Sequence, residues 1–202
     1  YMLPHLFAAF RQAYPEVGLQ LAVVNHAQAV RRLGQSRDDL LIMTQVPTDM
    51  ALDFYPFLSN PIIAVAAAGH PLCAASSLSL ADLSGYPLLV REVGSGTRRA
   101  CEEYCQQKRV RFAQQLEIGS SEAQCEGVLA GLGLALLPRH AVQRELASGL
   151  LCQLPVQELP LQRSWCLVSQ RGRQLSPVAR AFADFIQQRR DVLAALEQRF
   201  NA

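Results

Sequence analysis

Apolar residues along the chain alternate between two rhythms, one helical and one strand-like, and the alternation predicts an α/β protein. In "LPHLFAAFRQAYPE" (3–16) Leu3, Leu6, Phe7 and Phe10 fall on one helical face, and Pro15 predicts the helix end. "GLQLAVV" (18–24) follows with the every-second-residue pattern of a strand. "NHAQAVRRLG" (25–34) predicts a helix capped by Asn25 and stopped by Gly34. The unbroken apolar run in "DLLIM" (39–43) predicts a strand buried on both faces, and "DFYPFLSNPIIAVAA" (53–67) predicts one or two more. The succession then repeats: "SLSLADLSG" (77–85) as a short helix, "YPLLV" (86–90) as a strand, "TRRACEEYCQQK" (97–108) as a helix and "FAQQLEIG" (112–119) as a strand. "SSEAQCEGVLAGLG" (120–133) predicts a helix opened by a capping box between Ser121 and Gln124. "LALLP" (134–138) reads as a buried strand, "RHAVQRELASG" (139–149) as a helix closed by Gly149, and "RSWCLVSQ" (163–170) as a strand. "SPVARAFADFIQQRRDVLAAL" (176–196) predicts one long helix with Ser176 as cap, Pro177 at its first position and a core stripe of Val178, Ala181, Phe182, Phe185 and Ile186.

Three places where a strand signal runs into a helix signal carry polar residues: "NHAQ" (25–28), "GSGTRR" (94–99) and "GSSEA" (119–123). A helix start presents backbone N–H groups with no intrahelical acceptor and the positive end of the helix dipole, so an anion placed there is stabilised. "GSGTRR" adds the Ser95 and Thr97 hydroxyls and Arg98, whose guanidinium can fork onto a carboxylate or phosphate. The same residues equally suit a tight turn in which Ser95 or Thr97 caps the helix. The stretch lacks the spacing and the closing Gly-Lys-Ser/Thr of a P-loop, and it lacks the third glycine of a dinucleotide fingerprint. In an open α/β sheet the junctions after successive strands gather at the carboxyl ends, where such sheets bind ligands.

Composition narrows the function. The 202 residues are half hydrophobic, enough for one large domain or two small lobes, and the net charge of +2 argues against the chain itself gripping nucleic acid. No apolar run approaches the roughly 20 residues that span a bilayer, so no membrane contact is expected. Tyr1 stands where a start Met would, which predicts a further segment upstream. The six cysteines form no C-x-x-C pair, and Cys101 and Cys105 share a helical face without a placed histidine partner. Free thiols, a cytoplasmic setting and no metal site are therefore expected. Of the four histidines none has metal-ligand spacing, there is no G-x-S-x-G elbow, and Glu102 and Glu103 are adjacent on a helix and diverge. No catalytic residues are identified, and the chain is not expected to be an enzyme.

The order and spacing of "LPHLFAAFRQAYPEVGLQL", "DLLIM", "GHPL", "SLADLSGYPLLVREVGSGTRR", "GSSEA", "GVLAGLGLALLP" and "QLSPVARAFADFI" resemble the effector-binding domain of LysR-type transcriptional regulators over essentially the whole chain. "LVREVGSGTR" and "SQRGRQLSP" are most similar to the subgroup that regulates carbon-fixation (Rubisco) operons. The resemblance implies two α/β subdomains joined by two crossover strands, as in type 2 periplasmic binding proteins, with subdomain I at 1–64 and 163–202 and subdomain II at 65–162. It implies a ligand-sensing role: a small anionic effector, phosphorylated or carboxylated, held between the subdomains to control transcription, with no other cofactor. Its contact positions fall on Asn25 and His26, Met43 and Thr44, Gly94, Ser95, Gly96, Thr97 and Arg98, and Gly119, Ser120 and Ser121. It further implies a homodimer, a tetramer at full length, and DNA contact through an amino-terminal helix-turn-helix that this chain does not include. An exported solute-binding protein of a transport system shares the fold and is the alternative, with an α/β enzyme third.

Overall fold

The stripe of Leu6 and Phe10 buries one face of a first helix, α1 (Leu3–Ala13), and from there helices and short strands follow one another to the chain's end. The computed structural model describes residues 2–201. In chain order the elements are α1, α2 (His26–Gly34), β1 (Leu41–Met43), β2 (Leu52–Ser59), β3 (Ile62–Ala67), β4 (Leu88–Val90), α3 (Gly96–Gln107) and β5 (Gln115–Glu117). They continue with α4 (Ser121–Leu129), β6 (Leu134–Pro138), α5 (Arg139–Ala147), β7 (Leu151–Gln153), β8 (Ser164–Gln170), α6 (Pro177–Gln188) and α7 (Arg190–Asn201). Two 3-10 turns, Pro71–Ala74 and Leu80–Gly85, lie between β3 and β4. Among the described residues no helix is long and apolar enough to cross a membrane.

The chain divides into two units. The first comprises residues up to Ser59 together with those from Ser164 onward, and its sheet has the order β1-β8-β2, all antiparallel. Its main core joins Leu6 and Phe10 of α1 to Phe182, Phe185 and Ile186 of α6 and to Leu193 and Leu196 of α7, with Phe10 meeting Phe182 and Phe185 edge-on. The second unit, Asn60–Arg163, carries a five-stranded sheet of order β5-β4-β6-β3-β7. β4 pairs parallel with both β5 and β6, while β3 pairs antiparallel with β6 and β7. Alternate residues of β3 and β6 face opposite sides, so Ile62, Ala64, Leu134 and Leu136 pack under α3 while Ile63, Val65, Ala135 and Leu137 pack under α4 and α5.

Four expectations need correction. Residues 18–24 ladder with no strand among the described residues; they run beside 39–42 across a cavity of about 550 Å³, and Val23 is 86% exposed. Alternation specifies two faces but supplies no hydrogen-bonding neighbour, and β1 gives its ladder to β8. β1 is an edge strand, so only Met43 of its three residues is buried. The predicted long helix breaks at Arg189, whose φ of −88° and ψ of 62° leave the helical region while its guanidinium forks onto Asp191 at 2.8 and 2.7 Å. That break packs α7 against α1 and β2. In the stripe of α6, Ala179 is buried in place of Val178, which is exposed.

Strands β4 and β6 begin with a close backbone approach. The Leu134 N–H donates to the Pro87 carbonyl at 2.9 Å, and a Cβ on Gly133 would lie 2.3 Å from that same oxygen. Gly133 also holds φ at +150°, whereas Gly131, at φ +77°, has open space around it. Gly133→Ala is therefore expected to lower Tm steeply, by more than the roughly 1 kcal/mol typical of a point substitution. Gly131→Asn, with a residue that tolerates the left-handed region, is expected to melt close to the parent. Equal Tm values for the two variants would remove the seam from the account.

A second expectation concerns pH. Burial at the start of α5 pushes the His140 imidazole down from its ordinary 6.5 to about 4. Between these values the unfolded chain binds the proton more readily than the folded one, so stability is full above pH 6.5 and falls as pH drops toward 4. Thermal melts across that window should show the fall, and His140→Gln should flatten it.

Candidate functional site

β4 and β5 run side by side in parallel, with Val90 opposite Glu117. Both strands therefore end at the same edge of the sheet, and the helices that follow them, α3 and α4, begin there. Ser95 caps α3, its backbone extended and its hydroxyl accepting a long 3.5 Å bond from the Arg98 N–H. Gly94, at φ +93°, makes the turn that brings the chain from β4 into that cap. Ser120 caps α4 and accepts from the Ala123 N–H at 3.0 Å. The predicted capping box of Ser121 and Gln124 is thus displaced by one residue. Ser121 is the first helical residue, and Gln124 turns inward, 1% exposed, where its Nε2 donates to the Leu89 carbonyl at 2.8 Å.

Arg91, immediately after β4, ties the two helix starts together. Its Nη1 donates to the Ser121 hydroxyl oxygen at 2.8 Å, and its own carbonyl accepts from Arg98 Nη1 at 2.9 Å. The remaining guanidinium nitrogens grip Glu92 at 2.8 and 3.2 Å. Arg98 is engaged on three sides: with Glu102 at 2.7 Å, with Glu117 at 2.6 Å and with the Arg91 carbonyl. The hydrogen bonds from Glu102 and then Glu117 push its guanidinium above the usual arginine value. Arg98 is therefore held in a fixed place at the helix start, its charge balanced by carboxylates that are half exposed.

The first turn of α3 holds no acidic residue, so its dipole is not neutralised by its own side chains. The N–H groups of Gly96 and Thr97 have no acceptor within the helix by position. With the Thr97 and Ser121 hydroxyls, they form a set of donors suited to one small anion. Gly94, Ser95, Gly96, Thr97, Arg98, Gly119, Ser120 and Ser121 accordingly belong to one edge of the second unit's sheet. Ser95 is 5% exposed and spends its hydroxyl on the cap. In the first unit, Asn25 caps α2 in a reciprocal capping box with Gln28, as the sequence suggests, at 3.0 and 3.1 Å, and His26 opens that helix. Met43 is buried with Ala29 and Leu33, so its side chain is core; Thr44 follows it and is half buried.

Arg91 and Gln124 are the functional candidates that the sequence reading misses. For Arg91 the signal is present: a lone arginine directly after an apolar strand and just before the glycine turn. For Gln124 it is not, because a helix-start glutamine reads as a cap partner until its fold-back onto Leu89 is seen.

The family profile described as the LysR substrate binding domain matches residues 1–191. The chain is 37% identical over 186 residues to the HTH-type transcriptional activator CmpR of Synechocystis sp., covering 92% of this chain and 61% of that protein. It is 34% identical to the RuBisCO operon transcriptional regulator of Allochromatium vinosum, covering 92% of this chain and 62% of the relative. The chain thus spans about three-fifths of the length of these curated relatives. Among solved structures, the Synechocystis PCC6803 CcmR regulatory domain in complex with 2-PG superposes with a TM-score of 0.88 at 32% identity, covering 98% of this chain and 92% of that one.

The cap assignment is directly testable. Ser120→Ala removes the α4 cap and is expected to cost about 1 kcal/mol, read as a drop of about 2–4 °C in Tm. Ser121→Ala is expected to leave Tm within about 1 °C, since the hydroxyl lost is exposed enough for water to replace it on Arg91. The reverse ranking would restore the Ser121 capping box.

Proposed function

Because the chain belongs to the LysR substrate-binding-domain family, we propose that it is the effector-sensing part of a DNA-binding transcriptional regulator, and that its effector is a small phosphorylated or carboxylated anion seated on the first turn of α3. The fold is the type 2 periplasmic-binding-protein-like α/β arrangement. The observation that carries the anion reading is the pair of helix starts joined through Arg91, one of them free of acidic residues in its first turn. An anion there meets backbone N–H groups, two hydroxyls and a positive helix end in one place.

The similar CcmR domain from Synechocystis holds 2-phosphoglycolate. That molecule carries a phosphate and a carboxylate on a two-carbon frame, which suits a site built from two helix starts and a guanidinium. In the proposed mechanism the effector binds one conformer of the domain better than the others and shifts the population toward it. The rest of the regulator reads that shift through a helix-turn-helix segment outside this chain, acting on DNA as a homodimer, or a tetramer at full length, in the cytoplasm. The relatives described above are regulators, and none is a transport protein.

Isothermal titration with 2-phosphoglycolate tests the site. The parent chain is expected to bind one molecule, and Arg98→Ala to weaken binding by about tenfold or more, the loss of a charge-assisted contact. Its Tm should change little, because the carboxylates it pairs with are half exposed. A large fall in Tm with unchanged affinity would assign Arg98 to the fold alone.

A further inference from the structure

Beneath α3, inside the second unit, lies a cavity of about 500 Å³, within the size range of small-molecule pockets. Its origin is legible in the packing. Toward the cavity α3 presents Cys101 and Cys105, one turn apart, where larger apolar residues would fill the space. β5, the edge strand beside it, contributes Gln115, and all three residues of β5 are exposed. The walls are apolar: Leu88 and Val90 from β4, Leu136 from β6, and Phe112 from the segment before β5.

Two polar features distinguish the space from a packing defect. At its buried end Gln124 enters from α4, the helix on the other face of the sheet. Leu89 is the last β4 residue laddered to β6, and Gln124 Nε2 meets its carbonyl. Gln124 Oε1, buried with the rest of the side chain, accepts from no donor among the described residues. A buried acceptor without a donor is rare and destabilising, so the cavity contains a fixed, unmet request for an N–H or O–H. At the other extreme of burial stand Arg109 and Arg111, both exposed and both lining the cavity. Unlike Arg91 and Arg98, whose charges are spent on Glu92, Glu102 and Glu117, they sit in no ion pair described for this fold.

We propose that this cavity is a second ligand site, distinct from the anion site at the start of α3, and that it takes a monocarboxylic acid with an apolar body and a hydroxyl at the end remote from the carboxylate. The hydroxyl donates to Gln124 Oε1, the body replaces solvent against Leu88, Leu136 and Phe112, and the carboxylate meets Arg109 and Arg111 at the mouth. The cavity also touches Thr97 and Arg98, so its occupant bears on the helix whose first turn is the proposed effector seat, and the two sites are coupled through α3.

The test uses 4-hydroxyphenylacetate and phenylacetate as probes, titrated calorimetrically into the 202-residue chain. The hydroxylated acid is expected to bind one per chain, about tenfold more tightly than phenylacetate, as one buried hydrogen bond at the upper end of its usual strength requires. Cys105→Phe, which fills the cavity from α3 without touching the effector seat, is expected to abolish that binding. The exposed double variant Arg109→Ala/Arg111→Ala, which carries no folding risk, is expected to weaken both acids alike. No binding of either acid to the parent, binding that survives Cys105→Phe, or equal affinity for the two acids would each overturn the proposal. So would binding that appears only as copies of the chain dissociate, since that would make the cavity part of a subunit interface. None of these readouts needs a phosphorylated ligand, so this site and the anion site fail separately.

Discussion

Parallel strands cannot be joined by a tight hairpin. Each must be reached by a crossover, and in the second unit two of those crossovers are helical. This constraint organises everything that the molecule offers a ligand there. β4 lies between β5 and β6, parallel to both, so the chain leaves β4 and β5 at the same edge and opens α3 and α4 at that edge. The polar donors at a helix start are unavoidable by-products of ending a strand and beginning a helix. Here they are gathered, capped by Ser95 and Ser120, and cross-linked by Arg91. The charges around them are arranged so that Arg98 is held rather than free, with Glu102 and Glu117 fixing its position.

Much of this is legible in the chain. The cap at Asn25, the strand "LALLP" and the helix from Gly96 carry signals that are local: a side chain that competes for its own backbone, an apolar run of strand length, a glycine turn. What escapes is what depends on a neighbour. Residues 18–24 alternate correctly, yet alternation does not name the strand that would pair with them, and β8 occupies the only ladder that β1 forms. The α6 stripe continues past residue 186 with no proline or glycine, and the break at Arg189 follows instead from where α7 must go to reach α1 and β2. β7, three residues long, has too little sequence to announce itself.

The site divides in the same way. Its helix starts are readable because glycines and hydroxyls have strong positional meaning. The identity of the cap at α4 is not, since two consecutive serines offer the same chemistry and only backbone angles choose Ser120. Gln124 is the clearest case. Its sequence position suggests a cap partner, but side chains on a helix lean toward the amino terminus, and from its place on α4 that lean carries the amide to the open end of the β4–β6 ladder.

The seam between Pro87 and Gly133 lies at the opposite end of these strands from the ligand-facing edge. The carbonyl of one chain segment takes the N–H that begins the next strand, with no room for a side chain between them. The sheet is thus clamped where β4 and β6 start and comparatively unconstrained where β4 and β5 finish. Rigidity and recognition are stored at opposite poles of the same short strands. A lineage of such domains can therefore exchange the residues that choose a ligand, at the finishing pole, while the pole that keeps the sheet in register stays as it is.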